Sequence, residues 1–221
     1  MKFHSLKQRF EPYSDVLVFM LTLLAANYFW KFTFSGDEMG DQVTWLGIDV
    51  TAPFEWMACH IASAVYRLVS LCRETAFMPD AHTIRFSNGV GSTIVWGCSG
   101  FKQMFIWFWL VVTVRNLPSA ISRQKSPVTN DKSSSLPCGE GRGGGSSLWL
   151  HKLWYIPVGW VCCYAFNILR IFLICLLIEN HPTWFHPLHD YFFKYLFYGM
   201  LFLMWVVFIE KIRPMRETDS N

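Results

Sequence analysis

The chain has 221 residues, of which 52% are hydrophobic, 18% are aromatic and only 16% are charged. Soluble domains carry about 25% charged residues, so this composition excludes an ordinary soluble domain and indicates an integral membrane protein. The net charge is +3, from 19 basic and 16 acidic residues, and the basic residues are unevenly distributed. We therefore expect a lipid bilayer as a partner and no nucleic acid.

The first apolar segment covers residues 16–34 and follows a polar stretch, residues 1–15, which carries Lys2, Lys7 and Arg9. Residues 35–55 contain five acidic residues and no lysine or arginine. Positively charged loops stay on the cytoplasmic side of a membrane. The charge pattern thus predicts a cytoplasmic N-terminus and an acidic segment outside the plasma membrane.

Residues 53–72 have the pattern of an amphipathic helix, with Pro53 in its first turn. The predicted apolar face is formed by Phe54, Met57, Ala58, Ile61, Val65, Leu68 and Cys72. Glu55, His60 and Arg67 make a single lipid-facing span unfavourable. The helix is expected to lie on the outer interface or within the bundle, and we favour the interpretation that it does not cross the membrane.

Two short β-prone runs, residues 83–86 and 92–96, flank the turn-forming sequence of residues 88–91. They predict a hairpin or an extended loop that leads to Cys98.

The rest of the chain alternates apolar and basic segments. In order, we predict a span at 101–117, a flexible cytoplasmic Ser/Gly-rich linker at 118–148, a span at 153–178, an outer loop at 179–188, a span at 190–212 and a cytoplasmic tail at 213–221. The fold class is therefore all-α integral membrane: one polytopic helical bundle over residues 1–221, with about four transmembrane helices, the amphipathic helix and the short hairpin.

The sequence Trp96-Gly97-Cys98-Ser99-Gly100-Phe101-Lys102-Gln103 contains a candidate nucleophile. Cys98 stands between two glycines, which let the backbone turn sharply and approach a substrate closely. A helix N-terminus and Lys102 both favour the thiolate form of a cysteine. The alternative is that Cys98 is a packing residue, as cysteines in membrane proteins often are.

Two further groups are predicted to lie at the same outer face as Cys98. Arg170 lies eight residues before the outer end of the third span, about 12 Å below it. His189 begins the last span. A cysteine, a histidine and an arginine together suggest acyl transfer, in which the thiolate attacks a carbonyl, the histidine moves protons and the arginine stabilises the oxyanion.

An arginine inside an apolar helix costs a few kcal/mol, about 2.5–3.5 on insertion scales, so Arg170 requires a partner or a polar cavity. Asn167 lies one turn earlier on the same helix face and is expected to share that cavity. A purely structural ion pair of Arg170 with Asp190 or Glu179 is the alternative.

The motifs Cys98-Ser99-Gly100 with Lys102 following, Asn167-x-x-Arg170-Ile171 and His189-Asp190 resemble the exosortase/archaeosortase family, over roughly residues 53–212. The resemblance implies a membrane-embedded cysteine peptidase or transpeptidase at the outer face of the plasma membrane. Its expected partner is an exported protein whose C-terminal end carries a short motif, a transmembrane helix and a basic tail. Cleavage through a thioester at Cys98, followed by transfer to an acceptor, is the implied reaction.

The same resemblance assigns the catalytic roles to Cys98, Arg170 and His189, with Lys102, Asn167, Ser99 and Gly100 as supporting residues. The chain is shorter than many members of the family, and its Ser/Gly-rich linker is unusual. The histidine assignment has two competitors, since His181 and His186 lie close to His189 in the sequence. No cofactor and no metal is expected.

Two other functions are compatible with the residues. The three neighbouring histidines are a donor set for a metal ion, which would make the protein a metal-dependent membrane hydrolase, although no HExxH motif supports this. A non-enzymatic scaffold for an export system is the other alternative, but it leaves the intramembrane arginine unexplained.

Overall fold

Helices account for most of the structure, a computed structural model that describes residues 14–34, 41–114 and 144–212. The α-helices in these ranges are α1 (Ser14–Thr33), α2 (Ala52–Cys72), α3 (Phe101–Thr113), α4 (Gly144–Asn180) and α5 (Phe193–Ile212). The predicted tail at 213–221 and residues 1–13 of the predicted N-terminal segment lie outside the described ranges.

Three helical segments in the described ranges are long and apolar enough to cross a membrane: Asp15–Thr33, Lys152–Asn180 and Pro182–Glu210. The core of a bilayer is spanned by about 20 helical residues. α3 is shorter, with 13 residues, and residues 115–117 of the predicted second span lie outside the described ranges. The helical membrane architecture agrees with the prediction, but three such helices are found where about four were predicted.

α3 and α4 pack against each other in opposite directions. The Nζ atom of Lys152 donates to the carbonyl oxygen of Val112 at 3.0 Å, and the indole of Trp160 donates to the carbonyl oxygen of Met104 at 3.1 Å. The two helices approach closely at Gly159, where an added Cβ would lie 1.8 Å from Nε1 of Trp107. Only glycine permits this contact.

α4 and α5 are also antiparallel, and the end of α1 meets the start of α3. Between α4 and α5, the ring of Phe166 packs on Phe197 and that of Tyr155 on Phe208. Near the end of α1, the rings of Phe29 and Trp30 pack on Phe105 in the first turns of α3. The C-terminal ends of α1 and α4 therefore lie at the same end of the bundle as the N-terminal ends of α3 and α5. We call this the Cys98 end.

The predicted amphipathic helix is confirmed as α2, with Pro53 in its first turn. Its buried residues recur at helical spacing: Ala58, Ile61, Ala62, Val65 and Val69. Leu68 and Cys72, which were assigned to the apolar face, are exposed. The buried face packs on α4 through Ile171 and Cys175, so α2 belongs to the bundle through these contacts.

Two small antiparallel sheets lie beside α2. The first pairs β1 (Thr44–Trp45) with β2 (Ile48–Asp49), and the second has the order β3 (Ala76–Phe77), β4 (Thr83–Phe86), β5 (Gly91–Thr93). The predicted hairpin is confirmed by the pairing of β4 with β5. Its second strand ends at Thr93, earlier than predicted, and a 3₁₀ turn covers Trp96–Cys98.

Two predicted segment boundaries were wrong. The segment 179–188, expected to be a loop, contains the end of α4, a 3₁₀ turn at Pro182–Trp184 and the start of a π-helix at Pro187–Phe192. Proline is well suited to the first position of a helical turn, which explains both starts. The predicted linker ends before 148, since α4 begins at Gly144; residues 118–143 lie outside the described ranges.

Candidate active site

Cys98 lies at the end of a tight turn between β5 and α3. Its backbone N–H donates to the carbonyl oxygen of Val95 at 2.8 Å, which closes the 3₁₀ turn. The indole of Trp96 is 1% exposed and donates to the carbonyl oxygen of Asp41 at 3.0 Å. Cys98 itself is half-buried. It precedes the first residue of α3, Phe101, rather than lying inside the first turn of that helix.

The backbone beside the thiol is held by α4. Nδ2 of Asn167, a residue only 1% exposed, donates to the carbonyl oxygen of Cys98 at 2.6 Å. Gly100 has φ +81° and packs on that amide, where a Cβ would lie 3.2 Å from Nδ2. Ser99 is buried, and its Oγ accepts the N–H of Phe101 at 3.4 Å. Three predicted supporting residues thus surround the turn that carries Cys98.

The thiol faces an imidazole. Sγ of Cys98 lies 3.7 Å from Nε2 of His189, and Nδ1 of His189 lies 2.8 Å from Oδ1 of Asp190. A carboxylate at Nδ1 favours the tautomer in which Nδ1 carries the proton and Nε2 is free to accept one. The ring of Phe185 stacks on His189 with centroids 5.3 Å apart and an interplanar angle of 10°. The arrangement is that of a nucleophile, a base and an orienting acid.

Asp190 was not predicted to take part in catalysis. In the sequence it is the second residue of the His189-Asp190 motif and a candidate ion-pair partner of Arg170. The π-helix Pro187–Phe192 carries both His189 and Asp190, and such local widening of a helix is frequent at functional sites. An acidic residue directly after the histidine was the one signal available in the sequence.

The other two histidines make different contacts. His181 stacks on Trp184 with ring centroids 5.0 Å apart. Nδ1 of His186 lies 3.2 Å from Oδ2 of Asp190, and the His186 side chain is largely exposed. Among the described residues, no group of three or more His, Cys, Asp or Glu side chains is arranged to hold a metal ion. Only His189 of the three histidines is in contact with the Cys98 thiol in the described contacts.

Arg170 lies in α4, one turn beyond Asn167, and is only 9% exposed. One of its terminal nitrogens donates to the carbonyl oxygen of His189 at 3.2 Å, and its Nε has no hydrogen-bond partner among the described residues. Glu179, one of its two possible ion-pair partners, binds Arg73 at 2.9 Å instead. The oxygens of Asp190, the other predicted partner, face His189 and His186. The described contacts of Arg170 therefore join it to the backbone of His189 rather than to an acidic side chain.

The distance of Arg170 from the C-terminal end of α4 follows from the length of that helix. Arg170 lies ten residues before the end of α4 at Asn180, which corresponds to about 15 Å at 1.5 Å per residue. The predicted distance was about 12 Å, because the helix was expected to end at residue 178. Lys102, the remaining predicted supporting residue, lies in the first turn of α3 and is half-buried.

A buried guanidinium whose Nε has no hydrogen-bond partner among the described residues is suited to stabilising nearby negative charge, because little water competes with it. The site therefore combines three chemical capacities: a thiol, a base in contact with it and a fixed positive charge. Comparison with protein-family models, with curated proteins and with solved structures found no match for the chain.

Proposed function

We propose that the protein is a membrane-embedded cysteine peptidase or transpeptidase that processes exported proteins. The observation that carries the proposal is the row of contacts from Cys98 to His189 to Asp190, 3.7 Å and 2.8 Å long. The buried charge of Arg170 beside that row is the second support. A packing cysteine needs neither of them.

The reaction begins when Nε2 of His189 accepts the proton of the Cys98 thiol. The thiolate attacks the carbonyl carbon of a peptide bond, and the resulting oxyanion is stabilised by Arg170. The tetrahedral intermediate collapses with cleavage of the C–N bond, and His189 gives its proton to the departing amine. A thioester between Cys98 and the substrate remains. Water, a lipid or a sugar resolves it by nucleophilic attack, with His189 accepting the proton of the attacking group.

The substrate class follows from the resemblance to the exosortase/archaeosortase family. It is an exported protein whose C-terminal end carries a short motif, a transmembrane helix and a basic tail. The active site faces the extracytoplasmic side of the plasma membrane, as the charge distribution predicts. A site at one end of the helical bundle, at the start of α3, suits a cleavage point next to a transmembrane helix.

The test compares membranes that contain the wild-type chain, Cys98→Ala or Cys72→Ala. Cys72 is a free and exposed cysteine of α2, so its replacement is the matched control. We expect mass spectrometry of membrane and secreted proteins to find new C-termini with the wild type and with Cys72→Ala, and none with Cys98→Ala. The same set of C-termini from the Cys98→Ala and wild-type membranes would refute the proposal.

A second measurement needs no substrate. In permeabilised membranes, N-ethylmaleimide should label Cys98 faster than Cys72, because the thiol in contact with His189 is the one poised to lose its proton. Replacement of His189 by alanine should remove the difference. A faster reaction of the exposed Cys72 in the wild type would contradict the assignment of Cys98 as the nucleophile.

A further inference from the structure

The outer edge of β5 pairs with no other strand among the described residues. The N–H of Phe86 donates to the carbonyl oxygen of Val90, and the N–H of Ile94 to that of His82, both at 2.8 Å. Hydrogen-bonded pairs alternate along an antiparallel ladder. The backbone groups of Gly91 and Thr93 therefore point away from β4. Both residues are exposed, and no third strand covers them among the described residues.

An exposed strand edge is a template for another extended chain, which adds to the sheet through main-chain hydrogen bonds. This edge leads directly to the candidate nucleophile. Val95 lies two residues beyond β5, and its carbonyl oxygen accepts the N–H of Cys98. A 3₁₀ turn rises about 2 Å per residue, so the two Cα atoms are separated by about 6 Å. An extended peptide covers that distance in about two residues.

A cavity of about 200 Å³ is lined by residues from both strands of the hairpin, with Thr93 of β5 and the following Ile94 and Val95 on the side of the free edge. It is smaller than the 300–1,000 Å³ typical of sites for drug-sized ligands, so its size suits one long side chain. The residues that line it are mostly polar or acidic: Glu55, Asp80, His82, Thr83, Thr93, Ile94 and Val95. Arg85, the basic residue of β4, is exposed and does not line it.

The charges in the cavity are negative. The carboxylate of Asp80 accepts hydrogen bonds from the backbone N–H groups of His82 and Thr83 at 2.9 and 2.8 Å. The hydrogen bond from His82 is the main cause of the lowered pKa of the Asp80 carboxyl. Oε1 of Glu55 lies 3.3 Å from Nε2 of His82, and Sγ of Cys59 lies 3.5 Å from Nδ1 of the same ring. These contacts hold the wall of the cavity in place.

We infer that the edge of β5 docks the substrate as an added strand, with a lysine or arginine side chain of the substrate entering the cavity beside Glu55 and Asp80. The inference rests on the proposed function, because it assigns the docking site and one specificity position of the same peptide substrate. The basic residue lies about two residues from the cleaved bond. It is separate from the basic tail that follows the substrate's transmembrane helix.

Binding is measured with the Cys98→Ala variant in lipid nanodiscs, so that no peptide is turned over. The probes are fluorescein-labelled short peptides of alternating threonine and valine with one central lysine, and the same peptides with glutamine in its place. We expect the lysine peptide to bind about tenfold more tightly in fluorescence anisotropy. Methylation of alternate backbone nitrogens should weaken its binding by a similar factor, since it removes the donors of the added strand.

Glu55→Gln should reduce the preference for lysine to about twofold. Glu74→Gln is the matched control, because Glu74 is exposed and does not line the cavity; it should retain the full preference. Equal binding of the lysine and glutamine peptides, or of the methylated and unmethylated peptides, would overturn the inference. These outcomes are independent of processing by the wild type, so docking and catalysis can fail separately.

Discussion

Gly100 couples the backbone of the nucleophile to α4, and its replacement by alanine tests that coupling. The residue has φ +81°, and an added Cβ would lie 3.2 Å from Nδ2 of Asn167. That amide donates to the carbonyl oxygen of Cys98 at 2.6 Å. Gly100→Ala therefore does two things: it strains the backbone, and it pushes the amide away from the turn that carries the thiol.

The two effects have different magnitudes and different consequences. A left-handed conformation costs a non-glycine residue about 1–2 kcal/mol. Weakening of the hydrogen bond from Asn167 adds up to about 1.5 kcal/mol, the value for its complete loss. We expect Gly100→Ala to lower the free energy of unfolding by about 1–3.5 kcal/mol, the sum of the two contributions. The second effect also disturbs the orientation of Cys98 relative to His189.

Gly89→Ala is the matched control. Gly89 has φ +86°, and apart from its two chain neighbours no described residue lies within 4 Å of the position that its Cβ would take. It should show the strain of about 1–2 kcal/mol alone. Thermal unfolding in detergent measures the stability of both variants, and the rate of Cys98 alkylation by N-ethylmaleimide measures the site. Alkylation should be slower in Gly100→Ala and unchanged in Gly89→Ala.

Gly100→Ala and Gly89→Ala differ in the contact that the new Cβ makes with Asn167. If the two variants lose the same stability and their Cys98 is alkylated at the same rate, Gly100 does not couple the nucleophile to α4. Asn167→Ala separates the strain from the hydrogen bond. It should slow the alkylation of Cys98 as Gly100→Ala does, without adding a left-handed alanine.

Three further predictions concern the candidate site and the adjacent cavity. His189→Ala should abolish processing and slow the alkylation of Cys98, whereas His181→Ala and His186→Ala should retain both, since their described contacts do not include the thiol; loss of activity only in His186→Ala would transfer the base to that residue. Arg170→Lys should reduce the processing rate in a pulse-chase by about 10²-fold, because the lysine keeps the charge but not the planar donors; a wild-type rate would show that charge alone suffices. The pKa of the Asp80 carboxyl is lowered in the folded protein, so this carboxylate stabilises the fold fully above the ordinary pKa of 3.8 and loses that effect as the pH falls through the lower, folded-state pKa. The difference in melting temperature between the wild type and Asp80→Asn should therefore shrink below about pH 3.8. A difference that grows below that pH would contradict the prediction.

The helices of the bundle could be predicted from the sequence because their signals are local. Long apolar runs predicted α1, α4 and α5, and helical spacing of apolar residues predicted α2. No comparable local signal marks where an apolar helix begins or ends. For this reason α3 is shorter than expected, and α4 begins inside the predicted linker. The third strand, β3, has only two residues, too few for any periodic pattern.

The candidate site was predictable residue by residue but not in its arrangement. Cys98, Arg170 and His189 were selected because a thiol beside glycines, an intramembrane arginine and a histidine next to an acid are each unusual in an apolar chain. Cys98 and His189 are separated by 91 positions. Their distance depends on how α3, α4 and α5 pack, and no local pattern encodes that packing.

The sequence by itself determined that the chain is a helical membrane protein and which side chains are candidates for chemistry, because burial of charge and apolar length are properties of single segments. Only the tertiary structure decided that His189 rather than His181 or His186 faces the thiol, and that Asp190 lies against its other ring nitrogen. The physical reason is that the contact between Cys98 and His189 joins residues 91 positions apart, so it depends on the packing of the helices and not on a local pattern.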